Sequence, residues 1–327
     1  MDYDPGSARE RLEQSVGGSS EGSEDSGSDA PGVRDRFGET EFDADDIETD
    51  YAIDIGDEFR TTLLLGSDAR EGRESRRADA IMLVVVPPDE RQPVIASIPR
   101  DRWVPNPCTG GMSRINAGLN GCGDDVSGSE LMSIMVEDLA GIEIDHYAEV
   151  EFDGFIDIID AFGGVEICTE HPVRDERAEL SLPGGCVTAS GEDALAWTRS
   201  RETQELVDGR WRRKPGVGVL TRDERQQELA LEVADRIAGF ESLARLHSVT
   251  RGLQGSVTLD EQMTLLRAVL VAWAHRGIDT DEVERISLPV RNHVTSGGAH
   301  VLQAEASLDE LLAEALEKAP SDLATSG

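Results

Sequence analysis

Lysine is almost absent from this chain: of its 31 basic residues only Lys214 and Lys318 are lysines, and the other 29 are arginines. Aromatic side chains make up 4% of the 327 residues. Apolar runs such as 80–86 are far too short to cross a bilayer, which takes about 20 residues. After residue 58 there is no GxSxG, and the chain has no Walker loop, no HExxH and no credible GxGxxG, and the six histidines lie scattered. These absences point away from serine–histidine hydrolysis, nucleotide-fuelled transfer and zinc catalysis. Residues 1–58 also lack the basic stretch followed by an apolar stretch that marks a signal peptide.

What is abundant is negative charge, with a net charge of −35. Residues 1–58 hold 19 Asp and Glu against four Arg, are rich in Gly and Ser, and show no sustained apolar period. Such a segment cannot bury enough surface to offset chain entropy, so it reads as a disordered acidic tail. No linker interrupts residues 59–318, which read as one domain, followed by a flexible C-terminus at 319–327. Removing the tail's −15 leaves −20 on the remainder, which argues against nucleic-acid binding, because that requires a broad basic face. The arginine bias has two explanations, a GC-rich genome and a carboxylate-rich surface adapted to salt.

Cys108, Cys122, Cys168 and Cys186 contain no CxxC and no cysteine–histidine spacing suited to zinc. Four buried thiols and two disulfides are the alternatives. Three connectivities exist for two disulfides, and local loops favour 108 with 122 and 168 with 186. Disulfides imply a compartment outside the cytoplasm. The missing signal then requires an upstream membrane segment or another export route.

From residue 59 the pattern becomes regular. Strand-like runs at 61–65, 80–86 and 94–98 precede a loop over 105–127. A helix follows at 131–139, a strand at 146–152, a helix over 155–162, a strand at 165–168, and a short helix opened by Ser190 and Asp193. The polar stretch 202–220 is long enough to be a mobile lid. A long helix runs from 221 to about 238. Helices near 241–252, 260–274 and 307–317 and strands at 283–288 and 299–302 complete an α/β pattern with helices on both faces of a mixed sheet.

Charged clusters sit at the ends of these runs, where open α/β sheets usually bind ligands. Arg70, Arg77 and Arg100 mark an anion site, to which Arg199 and Arg201 arrive on another segment; guanidinium forks suit phosphate oxygens. The competing reading gives each arginine an ordinary surface carboxylate. Asp68 and Asp79 at strand edges could hold one divalent cation, or cap a turn and balance Arg76 and Arg77. Arg222 and Gln226, one helical turn apart, would face one way at a helix start, where backbone N–H groups also favour anions. An exposed helix start would look similar. His146, in an alternating strand, reads as a half-buried core residue.

The motifs 63–70 (LLLGSDAR), 77–84 (RADAIMLV), 97–101 (SIPRD), 114–117 (RINA), 144–155 (IDHYAEVEFDGF), 160–165 (DAFGGV), 191–201 (GEDALAWTRSR) and 222–227 (RDERQQ) occur in an order that resembles the LytR-CpsA-Psr family of bacterial cell-wall glycopolymer ligases. The resemblance implies a three-layer α/β/α domain with a mixed central sheet. It also implies a phosphotransferase that moves a glycopolymer, such as teichoic acid or arabinogalactan, from a polyprenyl-pyrophosphate carrier at the membrane surface to peptidoglycan. In that reading Asp68 and Asp79 bind Mg2+ or Mn2+. Arg77, Arg100, Arg199 and Arg201 hold the pyrophosphate, and Arg222 and Gln226 complete the pocket. The paired cysteines look like the actinobacterial branch. A polyprenyl-pyrophosphate hydrolase using the same pocket and a noncatalytic envelope-binding module are the alternatives.

Overall fold

A computed structural model describes residues 5–17, 60–68, 76–87, 92–214, 219–239, 253, 255–260, 263–265, 268–269, 278–280 and 282–317. At its centre six strands lie in the order β13 (Val257–Leu259), β6 (His146–Glu151), β1 (Arg60–Ser67), β2 (Ala78–Val86), β3 (Val94–Ser97) and β14 (Glu284–Ser287). β1 runs parallel to β6, β3 runs parallel to β14, and the other neighbours are antiparallel. The sheet is therefore mixed, as expected.

Strand side chains alternate between faces, and here each face has its own apolar cluster. Leu63, Leu65, Ile81, Leu83, Val85, Val94 and Ala96 share one core with α2 (Gly128–Ala140) and α6 (Leu308–Glu317). Leu64, Met82, Val84 and Ile95 face the other way, against Ala230 and Leu231 of α5 (Val219–Ala238). Helices on both faces make the three-layer α/β/α arrangement. A third cluster joins α3 (Phe152–Ala161) and α4 (Gly191–Arg199) to β7 (Val165–Thr169), β8 (Val173–Asp175), β9 (Leu180–Leu182) and β10 (Gly185–Ala189). Among the described residues no helix is long and apolar enough to cross a membrane.

Three sequence expectations require correction. Residues 5–17, assigned to the disordered tail, form helix α1 (Pro5–Gly17). Ala8 and Leu12, four residues apart, bury one narrow stripe in the main core, while Arg9 pairs with Glu137 and Asp138 of α2 and Arg11 with Glu130. Two apolar residues give too weak a periodic signal to be seen in an acidic, Gly/Ser-rich context. The rest of that tail, the helix expected at 241–252, most of that at 260–274, and residues 319–327 lie outside the described residues. The loop expected over 105–127 contains the antiparallel pair β4 (Trp103–Asn106) and β5 (Gly111–Arg114), then a 3-10 turn over Ile115–Asn120. In the proposed lid, β11 (Gln204–Val207) and β12 (Arg210–Arg213) form an ordered hairpin that joins β8 and β9 in a four-stranded sheet.

Both local disulfides form. Cys108–Cys122 fastens the loop after β4 to the segment before α2, and Cys168–Cys186 joins directly opposed residues of β7 and β10. Closing a loop with a sequence separation of 14 is worth about 3 kcal/mol of chain entropy.

Glu137 of α2 is 2% exposed and accepts a hydrogen bond from the Ile144 amide at 3.1 Å. Burial pushes its carboxyl up to about 7, against the opposing pull of that hydrogen bond and of Arg9. An acid with a raised folded-state pKa binds its proton more tightly when folded. Its contribution to stability is therefore greatest at low pH and falls as pH rises from about 4.5 to 7, by about 3 kcal/mol. Glu137→Gln removes this titration, so urea unfolding should show the variant gaining on the parent by about that amount between pH 4.5 and pH 8. A constant free-energy difference across that range would contradict the assignment.

Candidate active site

One edge of the central sheet gathers the C-terminal ends of β1, β3, β6 and β14 with the N-terminal end of β2. Sequence adjacency to these ends places the charged residues. Asp68 follows β1, and its amide donates to the Arg77 carbonyl at 3.3 Å. Asp79 is the second residue of β2 and Arg100 lies three residues beyond β3. Arg100 Nη1 contacts the Asp79 carboxylate directly, and Arg100 Nε lies 3.6 Å from Asp101.

Helix α5 supplies the opposing wall. Gln227 is 1% exposed and donates to the carbonyls of Ile286 in β14 and Ile95 in β3, at 2.8 and 3.4 Å. This fastens the first turns of α5 to the sheet. Arg222 is 4% exposed and lies 3.7 Å from the carboxylate of Asp223, itself buried. Gln226 is half-buried one turn further along.

Arg201 comes from the turn after α4. The helix stops at Arg199 because Ser200 adopts an extended conformation (φ −63°, ψ 126°). Asp175 fixes that turn: its Oδ2 accepts from Ser200 Oγ at 2.7 Å and from the amides of Arg201 and Glu202 at 3.1 and 2.9 Å. Burial alone would raise the Asp175 pKa, yet these hydrogen bonds, with those from the Arg177 and Ala178 amides, hold it below the ordinary carboxylate range. Arg225 holds the turn from the other side. It stacks 3.8 Å above the Trp197 ring and donates to the carbonyls of Trp197 and Ser200 and to Thr203 Oγ1.

The electrostatics identify which arginines converge. Burial pushes Arg100 down to about 10, and the next contributions are the like charges of Arg201 and Arg222. Burial also lowers Arg222, and Arg201 adds to that lowering, while Asp223 and Asp101 favour its charge. Asp223 is pushed up to about 6 by burial, against the pull of Arg222 and Arg201. Arg201 and Arg222 disfavour the charge of Arg100, and Arg201 that of Arg222, so the set will gain from a shared anion.

Two of the three, together with Arg114, also have free donors. Nε of Arg100, Arg114 and Arg222 are buried without a hydrogen-bond acceptor among the described residues. Their ion pairs with Asp101 or Asp223, at 3.6–3.7 Å, are too long for hydrogen bonds. A ligand carrying several acceptor oxygens satisfies such a set. Its recognition needs no nucleophilic side chain.

The other expected residues fall differently. Arg199 lies 4.7 Å over the Phe152 ring at the end of β6, beside the cluster. The Arg77 side chain is exposed, and Arg70 lies outside the described residues. His146 pairs with Asp260 at 3.2 Å, half-buried, as its alternating strand suggests. Asp101, Arg114, Asp223 and Arg225 lie in the motifs 97–101, 114–117 and 222–227 but were given no role from sequence, and Asp175 was not singled out. For Arg225 the signal was available: it follows Arg222 by three residues, hence lies near it on a helix.

Fold and site together define an α/β/α domain with arginines gathered at its strand ends. The chain belongs to the LytR_cpsA_psr family, which matches residues 38–317. It is 28% identical over 310 residues to the cell wall biosynthesis protein LcpA of Corynebacterium glutamicum, covering 80% of this chain and 57% of that protein. It is 31% identical over 225 residues to the polyisoprenyl-teichoic acid–peptidoglycan teichoic acid transferase TagU of Oceanobacillus iheyensis, covering 68% and 66%. With LcpB of C. glutamicum the match covers 36% of the relative, so the chain spans about one third to two thirds of the length of these proteins. Among solved structures, a LytR-Csp2A-Psr enzyme from Actinomyces oris superposes with a TM-score of 0.61 at 26% identity, covering 80% of this chain and 90% of the other.

Proposed function

We propose that this chain is a phosphotransferase that attaches a glycopolymer, carried on a polyprenyl pyrophosphate, to peptidoglycan outside the cytoplasm. The observation that carries the reading is the clustering of the exposed Arg201 with Arg100 and Arg222, whose Nε donors are buried without an acceptor among the described residues. The similarity to TagU, a polyisoprenyl-teichoic acid–peptidoglycan teichoic acid transferase, supports this choice of reaction.

The pyrophosphate supplies its own leaving group. A hydroxyl of the acceptor sugar attacks the sugar-linked phosphorus in line, forming a P–O bond to peptidoglycan as the bond to polyprenyl phosphate breaks. Arg100, Arg201 and Arg222 hold the charge that spreads over the phosphoryl oxygens, the main source of rate in such transfers. Arg199, stacked on Phe152, stands at the pocket's flank. The acceptor proton passes to solvent or to a carboxylate; Asp79, in contact with Arg100, is a weak base for it.

Asp68 and Asp79 would hold Mg2+ or Mn2+. The two carboxylates belong to neighbouring strand ends, which fits a cation that takes few protein ligands and completes its shell with phosphate and water. Bound there, the ion would neutralise pyrophosphate charge that the arginines leave exposed.

The test is release of polyprenyl phosphate from a polyprenyl-pyrophosphate glycan, with and without peptidoglycan and with and without Mg2+. Release that needs acceptor and yields glycan-linked peptidoglycan supports the proposal. Release without acceptor would make the protein a hydrolase, and tight binding without turnover a noncatalytic envelope module.

A further inference from the structure

The β11–β12 hairpin is a basic island on an acidic protein. Arg210, Trp211, Arg212, Arg213 and Lys214 follow one another without an acidic residue, in a chain of net charge −35. Lys214 pairs with Glu205 at 2.8 Å and Arg212 lies 3.9 Å from Asp208. Arg210 and Arg213 are exposed and have no ion pair among the described residues. At 37% exposure, Trp211 is one of two exposed large apolar side chains among them.

Strand geometry sorts these residues. Gln204 pairs with Arg213 and Leu206 with Trp211, so the period of two puts Gln204, Leu206, Trp211 and Arg213 on one face. Arg174 of the adjoining β8 completes it. Its Nε donates to Gln204 Oε1 at 2.9 Å, and its guanidinium lies 4.4 Å from the centre of the Trp211 ring. The face is a flat ring held by an oriented arginine, bordered by an amide and a second arginine.

The hairpin is anchored at the anion pocket. At its base Lys214 N donates to the Thr203 carbonyl at 2.9 Å, and Thr203 lies two residues from Arg201 and accepts from Arg225. Four residues of strand carry the hairpin about 13 Å outward from that base.

We infer that this face binds the peptidoglycan acceptor strand, with Trp211 stacking on a sugar ring and Arg174 and Arg213 meeting carboxylates. The inference rests on the proposed transferase reading for the identity of the acceptor. The chemistry favours a glycan over a lipid surface because the hairpin tip is polar. Asp208 and Gly209 take positive φ (53° and 73°) in a tight turn, and the ring sits on the strand face instead of at the tip, where a membrane-dipping hairpin would carry its apolar groups. A phosphate-rich polymer would ask for a cation at every contact. One ring, one amide and two arginines suit a chain of largely neutral sugars with intermittent carboxylates.

The test is co-sedimentation of the full chain with peptidoglycan sacculi stripped of attached polymer, beside soluble anionic glycopolymer and phosphatidylglycerol vesicles. Trp211→Ala and Arg213→Gln are compared with the parent after thermal unfolding has verified each variant's fold. Both should weaken binding to sacculi about tenfold, leaving vesicle and polymer binding unchanged. Sacculus binding that neither variant alters overturns the inference. So does a loss confined to vesicles, which would make the hairpin a membrane contact, or to soluble polymer, which would place the donor there. Because the readout is binding, an inactive enzyme that still binds sacculi through Trp211 would refute the transferase reading and keep the hairpin. Normal transfer with hairpin-independent binding would do the reverse.

Discussion

Replacing Arg222 by alanine should lower acceptor-dependent transfer by about 10²–10³-fold, the usual cost of removing one preorganised charge-stabilising donor. Arg222 is buried, its Nε lacks an acceptor, and its charge is felt by both Arg100 and Asp223. The substrate must therefore repay the cost of keeping a third guanidinium in a crowded, partly desolvated pocket. Because that repayment grows as negative charge spreads in the transition state, the loss should fall mainly on kcat. Arg222→Lys keeps the charge but loses the planar fork, and should recover only part of the rate. Folding should change far less than turnover, since the alanine variant also relieves repulsion from Arg201. Single-turnover kinetics with thermal unfolding as control checks both halves. Unchanged kcat in a folded Arg222→Ala protein would remove this residue from the site.

Arg225→Ala should cost about 3 kcal/mol of folding stability. Its guanidinium is 6% exposed, stacks on Trp197, and satisfies two carbonyls and one hydroxyl in the turn that carries Arg201. Truncation takes the donor from the two carbonyls, leaves Thr203 Oγ1 only its bond with Ser200 Oγ, and opens space against an aromatic ring, two of the mechanisms behind large mutational losses. Burial already pushes Arg225 down to about 10, so the site holds this charge only through those contacts and nearby carboxylates, Glu228 first among them. Lysine cannot reach all three acceptors and should restore less than half the loss. Urea denaturation of the three proteins measures this directly, and a loss below about 1 kcal/mol would show that the turn holds itself. A second consequence separates support from chemistry. Arg225→Ala should raise KM for the pyrophosphate substrate through a loosened Arg201, while Arg222→Ala acts on kcat.

Much of the architecture was legible because its signals are local. The apolar runs at 80–86 and 94–98, helical spacing in α2 and the serine caps at Ser127 and Ser190 depend on neighbours within a few residues, and each element formed where that pattern lay. Short strands in the β8–β12 region escaped notice because three- and four-residue strands carry too few alternations to count. Helix α1 was masked by the acidic composition around it.

The sequence by itself determined the mixed α/β class, the pairing of Cys108 with Cys122 and of Cys168 with Cys186, the family, and the strand ends at which the charged motifs lie. Only the tertiary structure decided which arginines share a pocket. It joined Arg100, Arg201 and Arg222, set Arg199 on Phe152, left Arg77 exposed to solvent, and brought in Arg114, Asp223 and Arg225. The reason is physical: a guanidinium's role depends on the charges and acceptors within a few ångströms, and those arrive from β3, the α4 turn and α5, segments up to 122 residues apart in the chain, from Arg100 to Arg222.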